Sequence, residues 1–161
     1  MCIRDSHKPF RFADVVACND QLLDHGVSRA HYVMFGGPGE TPDTVRQGIA
    51  NLLSLRHTVV FVFMGIRILP GTKLLRIAEA EGLVAPGQPL LEPAYYISPS
   101  VDRDWLERTL TDAFADNRQV VFPPDRFDIG LRLLHKFGHS GMLWDLLLQP
   151  ARRARGSAPV V

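Results

Sequence analysis

Cysteine is almost absent from this chain: two occur, Cys2 and Cys18. That excludes a disulfide framework, a four-cysteine zinc site and any cysteine-ligated cluster built by this chain alone. Long apolar runs are missing too. The longest, near Leu52–Leu55 and Val59–Met64, fall well short of the ~20 residues that a membrane span requires. The start, Met1–Ser6, has no apolar h-region and does not read as a secretory signal. No excess of one charge exists either, since 18 Lys+Arg face 17 Asp+Glu and the formal net charge is +1. That balance gives no reason to expect nucleic-acid or membrane-surface binding. These absences lead to the expectation of a cytoplasmic protein with no transmembrane segment and no nucleic-acid partner. What is present is ordinary for a globular chain: 46% hydrophobic and 22% charged residues over 161 positions, about one domain.

Residues 1–6 join no periodic pattern and read as a non-native scar. Phe12 to His25 predicts a helix, with Val15, Val16, Cys18, Leu22 and Leu23 on its buried stripe and Gly26 as its stop. Arg29 to Phe35 predicts a strand. The turn Gly36-Gly37-Pro38-Gly39 follows, and Glu40-Thr41-Pro42-Asp43 opens a second helix, with Thr41 as N-cap and Pro42 as first helical residue. That helix is expected to run to about Leu55 and to bury Val45, Ile49, Leu52 and Leu53. Thr58 to Ile68 predicts a second strand, apolar on both faces over Val59–Met64, as in a central parallel strand. Leu69-Pro70-Gly71-Thr72 turns the chain into a helix over Lys73 to Glu81. The order is a βαβ unit and implies parallel pairing with a right-handed crossover.

After Gly82 the character changes. The proline-rich stretch Ala85 to Pro99 predicts an extended connector with a short strand at Ala94–Ile97. Asp102 caps a helix to Asn117 that carries Trp105, Leu106, Leu110 and Phe114 in one stripe. Val120–Phe122 predicts one more strand, and Pro124 to Phe137 and Met142 to Leu148 two further helices. Residues 151–161 read as a disordered tail. The expected organisation is an α/β unit over 7–84 and a mainly helical extension over 85–150.

The strongest local signal is Phe35-Gly36-Gly37-Pro38-Gly39-Glu40-Thr41 between a strand and a helix. Glycines at the carboxyl end of a parallel strand let the backbone approach a ligand, and the next helix offers free N–H groups to an anion. The alternative is a tight βα turn with no ligand. The pattern is neither a dinucleotide fingerprint, since Pro42 holds the third glycine position, nor a phosphate loop, since no Gly-Lys follows. Glu40 can accept from an amino group or a ribose hydroxyl, or only complement the helix N-terminus. Arg67 interrupts an apolar strand. It needs an anionic partner if it is buried and none if it points outward. His135 and His139 have a metal-compatible spacing, but Gly138 lies between them and no third ligand is near.

Two stretches in this order, Met34-Phe35-Gly36-Gly37-Pro38-Gly39-Glu40-Thr41 and Phe63-Met64-Gly65-Ile66-Arg67-Ile68-Leu69-Pro70-Gly71-Thr72-Lys73-Leu74, resemble the radical S-adenosylmethionine (SAM) superfamily. The likeness is greatest to its cobalamin (B12)-binding branch, including lipid-biosynthesis members, and Leu91–Pro99 fits the same group. It covers roughly His7 to Leu148. The resemblance implies the last strands of a partial (β/α)6 TIM barrel that binds SAM at its strand ends. A [4Fe–4S] cluster on a Cys-x3-Cys-x2-Cys loop reduces SAM to a 5′-deoxyadenosyl radical in such enzymes. The superfamily motif Gly-x-Ile-x-Gly-x-x-Glu is met at Gly37 and Glu40, whereas Val33 and Phe35 replace its first glycine and isoleucine. By resemblance, Gly36, Gly37, Gly39 and Glu40 contact SAM, backbone groups at Leu69 and Pro70 flank the adenine, and Arg67 meets the SAM carboxylate or the substrate.

This chain has no Cys-x3-Cys-x2-Cys and no Asp-x-His-x-x-Gly cobalamin loop. The resemblance therefore implies the C-terminal portion of a longer enzyme, not competent alone. The intact enzyme would use SAM, the cluster and cobalamin for methyl transfer or related radical chemistry on a small molecule or lipid precursor. A non-catalytic α/β ligand-binding or interaction module is the alternative. A third reading, a metal-dependent TIM-barrel enzyme, lacks grouped His, Asp and Glu at strand ends.

Overall fold

The structure is a computed structural model that describes residues 9–141 and 143–148, without the side chains of residues 126–129 and 145. The expected scar at 1–6 and the expected tail at 151–161 lie outside the described residues, as do Cys2 and His7.

Among the described residues eleven elements follow in order: α1 (Phe12–Asp24), β1 (Ala30–Phe35), α2 (Pro42–Leu53), β2 (Val59–Met64), β3 (Ile66–Arg67), α3 (Lys73–Ala80), β4 (Tyr95–Tyr96), α4 (Arg103–Phe114), β5 (Val120–Val121), α5 (Asp125–Lys136) and a short 3-10 helix (Leu143–Leu148). The chain is mixed α/β. β1 and β2 pair in parallel from Ala30↔Val59 to Phe35↔Met64. β5 adds to the other side of β2, also parallel, so β2 is central. Its Val59–Val62 run is buried on both faces, as its composition predicts.

Side chains alternate across the sheet and build two cores. Val33, Phe35, Val60 and Val62 point toward α2 and α4, where Val45, Ile49, Leu52, Leu106, Leu110 and Phe114 meet them. Burying each such side chain contributes about 1.5–3 kcal/mol. Val59, Phe61 and Val121 point the other way, and Leu148 of the 3-10 helix covers them together with Trp144 and Leu147. That cover stops short of the upper part of β1: Tyr32 is 69% and Met34 46% exposed on this face.

α2 and α4 start where their caps predict. Thr41 Oγ1 accepts the Thr44 N–H and Thr44 Oγ1 accepts the Thr41 N–H, a reciprocal cap on α2. Asp102 Oδ1 accepts the Trp105 N–H at 2.7 Å. Three expectations differ from the structure. Leu53 is exposed, because the buried face of α2 runs through Val45, Ile49 and Leu52 at helical spacing and Leu53 falls beside it. Cys18 is exposed and Asn19 is the buried residue of α1, whose Phe12, Val15 and Val16 pack half-buried against the core. The strand expected over Thr58 to Ile68 is two strands. Gly65 takes φ +80° and breaks it, and Ile66–Arg67 leaves the parallel sheet to pair antiparallel with Tyr95–Tyr96. No helix among the described residues is long and apolar enough to cross a membrane.

Candidate functional site

The carboxyl ends of β1 and β2 lie side by side, and the loop Gly36–Glu40 follows the first of them. β1 ends at Phe35; Gly36 after it takes φ +93°, and Gly39 takes φ +72° two residues before the α2 cap. The Glu40 side chain folds back into this loop and is 2% exposed. Its carboxylate accepts the N–H of Gly36 and, at 3.2 Å, that of Gly37. The Glu40 N–H in turn donates to the Gly37 carbonyl at 3.1 Å. The loop is thus a closed ring of hydrogen bonds around one buried carboxylate. Pro38 and Gly39 form its outer edge, and their backbone groups have no hydrogen-bond partner among the described residues.

The connector from β4 to α4 crosses over both strand ends. The Gly65 N–H donates to the Phe35 carbonyl at 2.8 Å, and the Ser98 N–H to the Gly36 carbonyl at 3.0 Å. A Cβ at Gly36 would lie 3.3 Å from Ile97, and one at Gly65 would lie 3.2 Å from Tyr95. Close approach of the chain's own connector therefore requires both glycines. Gly37 is less constrained, with Ile66 Cδ1 at 3.5 Å from its Cβ position.

The β3–β4 ladder places Arg67 opposite Tyr95, both exposed, and Ile66 opposite Tyr96. Arg67 thus takes the outward alternative left open by its position. Tyr96 is fully buried in a cluster with Ile68, Ala78 and Val84. Its hydroxyl donates to Glu81 Oε2 at 2.7 Å. Burial, then the adjacent Glu81 carboxylate, raises the Tyr96 phenol well above its ordinary value. The turn at Leu69–Thr72 is locally closed: the Thr72 hydroxyl donates to the Leu69 carbonyl at 2.7 Å and accepts the Leu75 N–H at 3.2 Å. Leu69 is 48% exposed.

Among the described residues no group of three His, Cys, Asp or Glu could hold a metal ion. His135 and His139 are both exposed near the end of α5.

A polar network at the opposite, amino end of the strands is absent from the sequence reading. Arg29 is 7% exposed, without a carboxylate in hydrogen-bond contact among the described residues. Its guanidinium donates to Asn19 Oδ1, the Val27 carbonyl and the Arg56 carbonyl, each at 3.0 Å. Asn19 Nδ2 donates to the same Arg56 carbonyl at 3.1 Å, and His31 Nε2 lies 3.3 Å from Asn19 Oδ1. Burial lowers the Arg29 pKa, with Asp20 opposing and Arg56 reinforcing the shift. Burial, then the Arg29 charge, lowers that of His31. The visible signal was a lone arginine beginning an apolar strand, which the rule for buried charges flags.

No family model matches the chain, and no curated protein matches it. A solved structure is similar to it: the radical S-adenosylmethionine methyltransferase TsrM from Kitasatospora setae, with cobalamin and a [4Fe-4S] cluster bound. The TM-score is 0.65 and the sequence identity 24%, over 86% of this chain and 33% of that one. The likeness is one of fold, and the chain spans one third of that enzyme's length.

Proposed function

We propose that this chain is the SAM-side and C-terminal portion of a cobalamin-dependent radical SAM enzyme, with β1 and β2 among the last strands of its partial barrel. The observation that carries the reading is the glycine loop at the carboxyl end of β1, set in a fold shared with a cobalamin- and cluster-bound radical SAM methyltransferase. Ligands of parallel sheets bind at that end.

The described residues do not fit an iron–sulfur cluster: they contain no ligating group of three, and Cys18 is their only cysteine. No step is assigned to a cluster or to cobalamin on this chain. SAM fits the loop better. Bound SAM supplies a methyl or adenosyl group to the reaction. Pro38 and Gly39 offer backbone acceptors and a donor at the loop's outer edge, suited to its ammonium and ribose hydroxyl groups. Gly37 leaves room for close approach. Glu40 acts from inside the loop, fixing Gly36 and Gly37 so that the edge keeps its shape. Leu69 and Pro70 supply an apolar margin for the adenine, and Arg67 a cation for a carboxylate.

Calorimetric titration of SAM into the full-length enzyme encoded by the contiguous reading frame tests this. Glu40→Ala weakens binding by ~1–3 kcal/mol, the cost of leaving polar partners unpaired, and Gly37→Val obstructs the loop. Unchanged affinity in both variants, with the fold intact by circular dichroism, would mean that these residues only turn the chain. A reading frame without a three-cysteine cluster motif would favour a non-catalytic module.

A further inference from the structure

The five-residue loop is held at both ends by a residue far from it in sequence. Ser98 is 2% exposed. Its N–H donates to the carbonyl of Gly36, the first loop residue, at 3.0 Å. Its hydroxyl donates to the carbonyl of Glu40, the last, at 2.9 Å and across 58 positions of sequence. The Ser98 carbonyl accepts the Val101 N–H at 2.9 Å, which ties the same residue to the approach of α4. Buried carbonyls need partners, and Ser98 supplies one to each end of the loop from a segment outside the β1–α2 unit. Glu40 then closes the loop internally, through the amides of Gly36 and Gly37.

We infer that Ser98 is the positioning residue of the Gly36–Glu40 loop. The C-terminal connector, not the β1–α2 turn alone, sets the loop in its ligand-receiving shape. Without the hydroxyl, the Glu40 carbonyl loses the Ser98 donor, the last loop residue is held less firmly, and the amides of Gly36 and Gly37, which its carboxylate accepts, open more often. The loop half of this inference stands on the hydrogen bonds alone. The ligand half rests on the SAM reading above.

Amide hydrogen exchange on the 161-residue chain tests the loop half. In Ser98→Ala, exchange at Gly36 and Gly37 accelerates about 10-fold, the scale of one lost buried hydrogen bond, while the amides of Leu106 and Leu110 in α4 keep their rates. Ser98→Thr, which keeps the hydroxyl, restores slow exchange. Should the alanine variant fail to fold, Ser98→Cys gives the same comparison with a weaker donor. Unchanged exchange at Gly36 and Gly37, or acceleration spread equally over α4, would overturn the inference. SAM titration of the full-length enzyme tests the ligand half: Ser98→Ala weakens binding about 5- to 10-fold, and Ser98→Thr does not. A loop that loosens without loss of SAM affinity overturns the ligand half only. A wild-type enzyme that binds no SAM overturns the functional reading and the ligand half, and leaves the loop result to decide the rest.

Discussion

Tyr32 and Phe61 stack across the β1–β2 pair, with ring centroids 5.1 Å apart and planes 16° apart. Phe63 continues the stack, 6.2 Å from Tyr32. The rings lie on the sheet face away from α2 and α4. Tyr32 is exposed and Phe61 is buried, so the two contribute differently. Phe61→Ala is expected to cost ~3–5 kcal/mol. In a double-mutant cycle with Tyr32→Ala, the coupling is about 0.5–1.5 kcal/mol. Urea unfolding of the four proteins measures it, and a coupling of zero would mean the stack is only proximity.

His31 makes stability depend on pH. Its folded pKa lies below the ordinary histidine value, from burial first and the Arg29 charge second. Between the folded and the unfolded value the unfolded chain binds the extra proton. Stability is therefore full above about pH 6.5 and declines as the pH falls from there toward the folded pKa. His31→Gln flattens that decline. Thermal melts between neutral and mildly acidic pH give the comparison; parallel curves for both proteins would remove His31 as the cause.

Gly65 and Gly71 both take positive φ, +80° and +74°, but only Gly65 has neighbours at its Cβ position. Gly71→Ala carries the left-handed cost alone, ~1–2 kcal/mol. Gly65→Ala adds a collision with Tyr95 and is expected to cost roughly 2–4 kcal/mol. Equal losses in denaturant midpoint would show that the connector yields freely over the β2 end.

The 161-residue chain on its own is expected to take up no stable iron–sulfur cluster. Cys18 is exposed and belongs to no ligating group among the described residues. Anaerobic incubation with iron and sulfide, followed by desalting and absorbance, is the check. One stable cluster per chain would contradict the reading of a part that depends on a longer enzyme.

Much of the fold could be read from local chemistry. The two-sided apolar run Val59–Met64 gave a central parallel strand, and Thr41 and Asp102 gave two helix starts, because caps and periodicity act within a few residues. What escaped the sequence depends on distant partners. Ile66 and Arg67 continue an apolar run, and nothing near them reveals Tyr95 and Tyr96 as their ladder. An isolated glycine inside a strand signals close backbone approach, but not what approaches. Glu40 was legible as a polar group at a helix start; that it turns inward onto Gly36 and Gly37 depends on how the loop closes. Asn19, at a position shared with an apolar stripe, is buried only because Arg29 and Arg56 come to it from two other elements.

The parallel pairing of Val60 with Val120 joins two strands 60 positions apart in the chain. A chain emerging from the ribosome presents β1, α2 and β2 long before β5, and the helix between β1 and β2 is short enough to let them dock early. The third strand and the α4 wall arrive later, after a loop whose closure is entropically slower. Until then one edge of β2 carries open backbone groups beside Phe61 and Val62, a surface that favours mispairing. Folding of this chain is therefore expected to be limited by its late C-terminal third, and interrupted synthesis before Val120 to yield an aggregation-prone product.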